Sequence, residues 1–208
     1  GQVAIGSCTN SSYADMMKVA EILDGHIVAP NVSLVISPGS RQVLTMLASN
    51  GALAKMVAAG ARVLECACGP CIGMGQAPAT DAVSLRTFNR NFCGRSGTAS
   101  ASVWLSLSER ERSFVSPETA AVSAITGVLT DPETWAPVEK PALPERFAAD
   151  DSMVLAPAAD PDAVEVVRGP NIKPFPKAQA PAETIEGKVL IKLGDNITTD
   201  HIMPSNAK

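Results

Sequence analysis

Gln2-Val3-Ala4-Ile5-Gly6-Ser7-Cys8-Thr9-Asn10-Ser11-Ser12-Tyr13-Ala14-Asp15 is the stretch that decides the fold. Its first residues, 2–5, read as a short apolar strand that ends in Gly6-Ser7-Cys8. Ser12, with Asp15 three residues on, supplies an N-cap and a carboxylate for the first turn of a helix. Met16, Ala20 and Leu23 then recur at helical spacing, and Gly25 is a suitable stop. A strand running through a short turn into a capped helix is the repeating unit of a parallel sheet.

The alternation continues outward from there. Residues 32–36 form a continuous apolar run, as expected for a strand buried on both faces. Ser40 caps a helix through Ala48, which Gly51 ends, and residues 53–59 form a second helical stretch closed by Gly60. Strands are expected at 63–66 and 85–88. Ser116-Pro117-Glu118 places a cap, a first-turn proline and an early acid ahead of a helix that stops at Gly127. The expected fold class is therefore α/β, a three-layer α/β/α domain with a parallel sheet over residues 1–131. In such sheets ligands collect where strands end and helices begin. Cys8 and the loop Cys68-Gly69-Pro70-Cys71 both lie at such points.

The 208 residues are 46% apolar, enough to bury a core and to exclude wholesale disorder. A net charge of −4 excludes a basic nucleic-acid footprint, so nucleic acid is not indicated as a partner. No uncharged apolar run approaches the ~18–20 residues that span a bilayer, and no membrane partner is expected. Gly1-Gln2-Val3 carries no initiator Met and no signal-peptide h-region, which points to a cytoplasmic location. That start, and the abrupt stop at Lys208, read as a piece of something longer. Residues 1–131 carry nine basic and nine acidic side chains, so the whole net charge lies beyond them. Ten of the sixteen prolines fall between Pro132 and Pro181, which makes residues 132–186 an acidic, semi-rigid linker. One strand-like run, 164–167, interrupts it. A new element begins at Gly187 and runs through an apolar strand at 189–193. Residues 108–113 read as a solvated, charged loop.

Five cysteines, an odd number without a signal peptide, argue against a disulfide framework. Cys66 and Cys93 fit the role of small buried hydrophobes. Cys68-Gly69-Pro70-Cys71 aims two thiols at one point and has three readings: a dithiol redox pair, half a zinc site, or two ligands of an iron–sulfur cluster. Thioredoxins share the tetrapeptide, but Trp normally precedes it there and Ala67 stands here. Zinc needs two further ligands, and only His26 and His201 exist. Cys8 offers a third thiolate at a strand–helix junction. Three thiolates suit a cubane with one iron left without a protein ligand, open to substrate as a Lewis acid. Cys66 shares a strand face with Cys68, but the turn then carries the chain away. In Phe88-Asn89-Arg90-Asn91-Phe92-Cys93-Gly94-Arg95-Ser96-Gly97, two arginines five apart make a plausible carboxylate clamp.

Taken in order, these segments resemble the aconitase superfamily. Gly6-Ser7-Cys8-Thr9-Asn10-Ser11-Ser12-Tyr13 is similar to its first cluster-cysteine motif and Ala67-Cys68-Gly69-Pro70-Cys71-Ile72-Gly73 to its second. Asn89-Arg90-Asn91-Phe92 with Gly94-Arg95 looks like its substrate-arginine motif. Ser37-Pro38-Gly39-Ser40 and Ser116-Pro117-Glu118 resemble its flanking signatures, and Thr199-Asp200-His201-Ile202 the entry to its swivel domain, here residues 187–208.

The resemblance implies a [4Fe-4S] hydro-lyase that moves a hydroxyl between adjacent carbons by dehydration and rehydration. Cys8, Cys68 and Cys71 would hold the cluster, and Arg90 and Arg95 would grip the carboxylates of a tricarboxylate substrate. Asn89 would hydrogen-bond near the cluster, Ser7 would sit beside Cys8, and Asp200 with His201 would reach the site from the swivel domain. A capping or turn role for Asp200 is the plain alternative. Isopropylmalate isomerases usually carry a different pair between the two cysteines and a separate swivel subunit. Gly69-Pro70 and the attached swivel start therefore favour aconitase proper or a close homoaconitase-like relative, and the expected reaction is interconversion of citrate and isocitrate through cis-aconitate. A homoaconitase or isopropylmalate isomerase-like hydro-lyase is the alternative; a thiol–disulfide redox protein and a zinc or metal-free module stand further off. The family's serine base would lie beyond Lys208 and its histidines and acids before Gly1. The remaining domains of a parent chain are thus the expected partners, and the segment alone is expected to be inactive.

Overall fold

Four parallel strands, β1 (Gln2–Gly6), β2 (Ser33–Ser37), β3 (Arg62–Val63) and β4 (Ser84–Arg86), pair in the order β3-β2-β1-β4 in the computed structural model. The structure describes residues 1–88, 94–98, 100–101, 115–135, 140–197 and 199–203. Val3 lies opposite Leu34 on one side and Leu85 on the other, and Ile5 opposite Ile36. Every residue of β1 is buried, which is why it reads as an uninterrupted apolar run. The expected α/β class is the one found.

Helices α1 (Tyr13–Leu23), α2 (Arg41–Ser49) and α4 (Pro117–Thr126) start at serine caps, and α3 (Ala52–Ala58) follows Gly51, which carries no side-chain cap. Ser12 and Asp15 form a reciprocal capping box: the Asp15 amide donates to Ser12 Oγ at 3.2 Å, and the Ser12 amide to Asp15 Oδ2 at 3.1 Å. Ser40 accepts from the Val43 amide and Ser116 from the Thr119 amide. All four helices feed one cluster, in which Met16, Leu23, Leu47, Met56 and Ala121 meet Val3, Ile5, Leu34, Ile36 and Leu85. On the other face Ala4 and Val35 pack against Cys71, Phe88 and Leu64.

This division follows from the strand order. The chain steps from β1 to β2 to β3 in one direction, then returns past β1 to β4. Right-handed crossovers send the returning connection over the opposite face, and that connection carries the cysteine turn. The direction reverses between β1 and β4, so the crevice at their carboxyl ends is the topological switch point.

Two expected strands are shorter than their apolar runs. The run 63–66 is paired only at Arg62–Val63; the Leu64 amide still donates to the Ile36 carbonyl, but the Ala67 amide then folds back on the Glu65 carbonyl at 2.8 Å. That bend ends the alternation, so Cys66 and Cys68 do not share a strand face. The run 85–88 is Ser84–Arg86, prolonged by a single bond from the Thr87 amide to the Ala4 carbonyl.

Two units are distinguished, Gly1–Asp150 and Asp151–Lys208. Of the proline-rich stretch, residues up to Asp150 belong with the sheet. Trp135 packs against the core and meets the His26 ring edge-on at 5.3 Å, Phe147 meets Tyr13 at 6.0 Å, and Asp150 pairs with Arg41 at 3.2 Å. In the second unit the expected strands at 164–167 and 189–193 are absent among the described residues, and Val166, Val189 and Leu190 are exposed. A strand needs a pairing partner, and this unit provides none among those residues. Its described residues contain one 3₁₀ turn, Pro161–Ala163, and the one-turn helix α5 (Thr199–Ile202). Among the described residues no helix is long and apolar enough to cross a membrane. The loop expected at 108–113 lies outside the described residues.

Candidate functional site

The first half of the site is built where β1 ends. Gly6 has φ +121°, and a Cβ there would collide with the Ser37 carbonyl of the neighbouring strand. Only glycine lets β1 pass so close. Ser7 follows at φ +68°, a left-handed conformation that costs a non-glycine residue roughly 1 kcal/mol or more. The strained turn is pinned on both sides: the Gly6 amide donates to Thr87 Oγ1, the Ser7 amide to the Ser37 carbonyl, and Ser11 Oγ to the Ser7 carbonyl. Asn10 Nδ2 donates to the Thr87 carbonyl. Cys8 emerges exposed from this turn, while the Ser7 hydroxyl is buried with no hydrogen-bond partner among the described residues.

The second half is the turn after β3. Pro70 starts a 3₁₀ turn, Pro70–Ile72, and the Gly73 and Met74 amides donate back to Pro70 and Gly69. Cys71 is buried and its Sγ donates to the Cys68 carbonyl at 3.7 Å, whereas Cys68 is exposed. The Cys68 thiol is pushed up, first by the negative charge of Cys71 and by hydrogen bonding to it, and in smaller part by burial and by Cys8. Cys68 therefore interacts with both other thiols, and the three sequence-predicted cysteines converge on one place. Cys66 is raised by burial alone and stands outside the group. A cleft of about 690 Å³ opens beside the turn, lined in part by Glu65, Cys68, Gly69 and Met74.

The donor set is made of soft thiols. Cys8, Cys66, Cys68 and Cys71 are all free thiols, and soft thiolates select iron–sulfur clusters, zinc or copper(I). Among the described residues no three His, Cys, Asp or Glu side chains are arranged to hold a single metal ion. A cubane gives each thiolate its own iron, so it takes thiolates set wider than one ion allows. Of the two histidines, His26 meets the Trp135 ring edge-on, and His201 lies in α5 of the second unit.

Of the arginine motif, Asn89, Arg90 and Cys93 lie outside the described residues. Arg95 is half-buried and its neighbour Ser96 is buried against the cysteine turn: a Cβ at Gly73, whose φ is +82°, would come within 2.9 Å of Ser96 Oγ. Asp200 and His201 fall together on α5 of the second unit.

Sequence reasoning missed Arg86. It is 1% exposed, at the end of β4, and burial pulls its guanidinium down to about 10 while the nearby Cys71 thiolate opposes the shift. It stays charged at neutral pH. The signal was present as a single charged residue inside the apolar run 85–88.

A family model described as the aconitase family (aconitate hydratase) matches residues 1–127. The chain is 44% identical over 132 residues to the 3-isopropylmalate dehydratase large subunit of Herpetosiphon aurantiacus, covering 62% of this chain and 29% of that protein. It is 35% identical over 203 residues to the mitochondrial homoaconitase of Debaryomyces hansenii, covering 95% and 27%. With the homoaconitase large subunit of Thermus thermophilus it shares 43% identity over 134 residues, covering 64% and 30%. The chain thus spans about three tenths of the length of these relatives. With the family model matched over more than half of its residues, from β1 through α4, the chain belongs to the aconitase family.

Proposed function

We propose that this chain is the cluster-bearing part of a [4Fe-4S] hydro-lyase, with Cys8, Cys68 and Cys71 as the three thiolate ligands. The observation that carries the reading is the convergence of three free thiols beside the switch point of a sheet that lies within the family match. The cluster would supply an iron without a protein ligand, able to polarise a substrate hydroxyl. The protein's own part is to hold and orient. Ser7 presents a buried hydroxyl next to Cys8, and Arg95 brings a guanidinium to the loop against the cysteine turn, suited to a substrate carboxylate. Arg90 is proposed as its partner in that grip and Asn89 as a hydrogen-bonding neighbour of the cluster, both from the motif. Asp200 and His201 are proposed as groups of the swivel portion, and the rest of a family enzyme as the partner that completes proton transfer.

For the substrate, the relatives favour the homoaconitase or isopropylmalate type over the citrate reading expected first from the sequence. The extent of similarity supports a one-chain, homoaconitase-like organisation. Matches to proteins named as large subunits cover 62–64% of this chain, whereas those to mitochondrial homoaconitases run through 95% of it, including the proline-rich stretch.

The test is anaerobic reconstitution with iron and sulfide. A broad iron–sulfur absorbance is expected, lost in Cys8→Ser, Cys68→Ser and Cys71→Ser and kept in Cys66→Ser. Binding of zinc alone, or dithiol–disulfide cycling that needs only Cys68 and Cys71, would overturn the reading.

A further inference from the structure

The cysteine turn and the Arg95 loop meet over one buried guanidinium. Arginine is almost never fully buried without a partner, yet among the described residues no carboxylate pairs with Arg86. Its donors reach neutral acceptors on four segments instead. Nε donates to Ser84 Oγ at 2.9 Å on its own strand, and Nη2 to Gln2 Oε1 at 3.0 Å on β1. Nη2 also donates to Ser96 Oγ at 2.7 Å, and Nη1 to the Pro70 carbonyl at 3.4 Å. The guanidinium carbon stands 5.7 Å from the Phe88 ring centroid, a cation–π arrangement. Pro70 lies between the two cysteines of the turn, and Ser96 directly follows Arg95. The two segments pack so closely at Gly73 that no Cβ fits between them.

We propose that Arg86 is a positioning residue: its planar fork holds the cysteine turn and the Arg95 loop in register. A lysine could not do the same, because a single ammonium on a flexible stem lacks the fixed fork that spans acceptors on separate segments. Holding the turn also bears on any group that Cys68 and Cys71 bind, a consequence that rests on their reading as cluster ligands.

Hydrogen exchange of the metal-free chain tests the fork without any cluster. In Arg86→Met, amides of residues 71–74 and 96–98 are expected to exchange at least about tenfold faster, with α1 and β2 unchanged. Unaltered protection in both segments overturns the proposal. Ser96→Ala, which removes one hydroxyl and no buried charge, guards against a variant that merely unfolds. It is expected to release 96–98 while leaving 71–74 protected, and full protection at 96–98 would sink the idea. After reconstitution with iron and sulfide, Arg86→Met is expected to lose iron to a chelator about tenfold faster than wild type, the scale of an outer-shell substitution, with Arg86→Lys between them. Equal rates in all three overturn the link between the fork and the bound group. If wild type forms no iron–sulfur chromophore, the cluster reading fails, and the exchange comparison still decides the fork.

Discussion

Thr87 Oγ1 accepts a 2.8 Å hydrogen bond from the amide of Gly6, joining the ends of β4 and β1 across 81 positions of sequence. The bond is buried and sits one residue before the strained Ser7 that presents Cys8. Thr87→Val keeps the shape and removes the acceptor, leaving a buried N–H unsatisfied, at a cost of about 1–3 kcal/mol. Urea unfolding should show that loss. Anaerobic reconstitution of the same variant should show a weakened chromophore; a wild-type midpoint would disconnect this bond from the turn.

Gly6→Ala is expected to be far more damaging than its single methyl suggests. The new Cβ meets backbone of β2, which cannot yield without breaking the β1–β2 ladder. A loss above about 4 kcal/mol, or failure to accumulate folded protein, is the expected outcome. Near-wild-type thermal stability would contradict the geometry.

The ion pair Lys18–Glu118, at 2.5 Å, joins α1 to α4 and sets a pH window. Burial alone would raise the Glu118 carboxyl, but hydrogen bonds from Lys18, its own backbone and Ser116, with the Lys18 charge, bring it below its ordinary value. The hydrogen bond to Glu118 raises the Lys18 ammonium, against opposing burial. A depressed acid stabilises above its unfolded pKa and loses that contribution as pH falls through the folded one. A raised base stabilises below its unfolded pKa and loses it as pH rises through the folded one. The pair therefore contributes between about pH 4.5 and 10 and fades outside that range. Glu118→Gln should lower stability by roughly 1 kcal/mol at pH 7 and flatten the acid limb of a stability–pH curve. An unchanged acid limb would assign that limb to other carboxylates.

Trp135 and Phe147 hold the proline-rich stretch to the sheet domain. Trp135→Ala, half-buried against the core, should cost about 2 kcal/mol, less than the full core penalty. Phe147→Ala should cost about 0.5–1.5 kcal/mol through its edge contact with Tyr13. Protease sensitivity at residues 140–150 is the readout, rising more in the tryptophan variant.

The elements legible in the sequence were those whose signals are local. Ser12, Ser40 and Ser116 each cap the helix expected of them, because a cap needs only its own next three amides. Cys8 and the Cys68–Cys71 turn were legible for a similar reason: each lies on a short motif at the end of a strand. What failed depended on distant neighbours. An apolar run at 189–193 reads as a strand, yet pairing takes a partner no local pattern can supply. Arg86 was passed over because the acceptors that keep it inside, at positions 2, 70 and 96, are scattered along the chain. Their meeting is a property of the crossover.

The strand order has a consequence for stability as well as for chemistry. Cys8 leaves the first strand and Cys68 arrives after the third, sixty positions later. Any group bound by both ties these positions together and closes that long loop, so it acts as a detachable crosslink. A permanent bond closing a loop of this length would remove on the order of 4 kcal/mol of chain entropy from the unfolded state. Oxidative loss of the bound group would return that freedom in one step, making melting temperature a gauge of how fully the thiols are occupied.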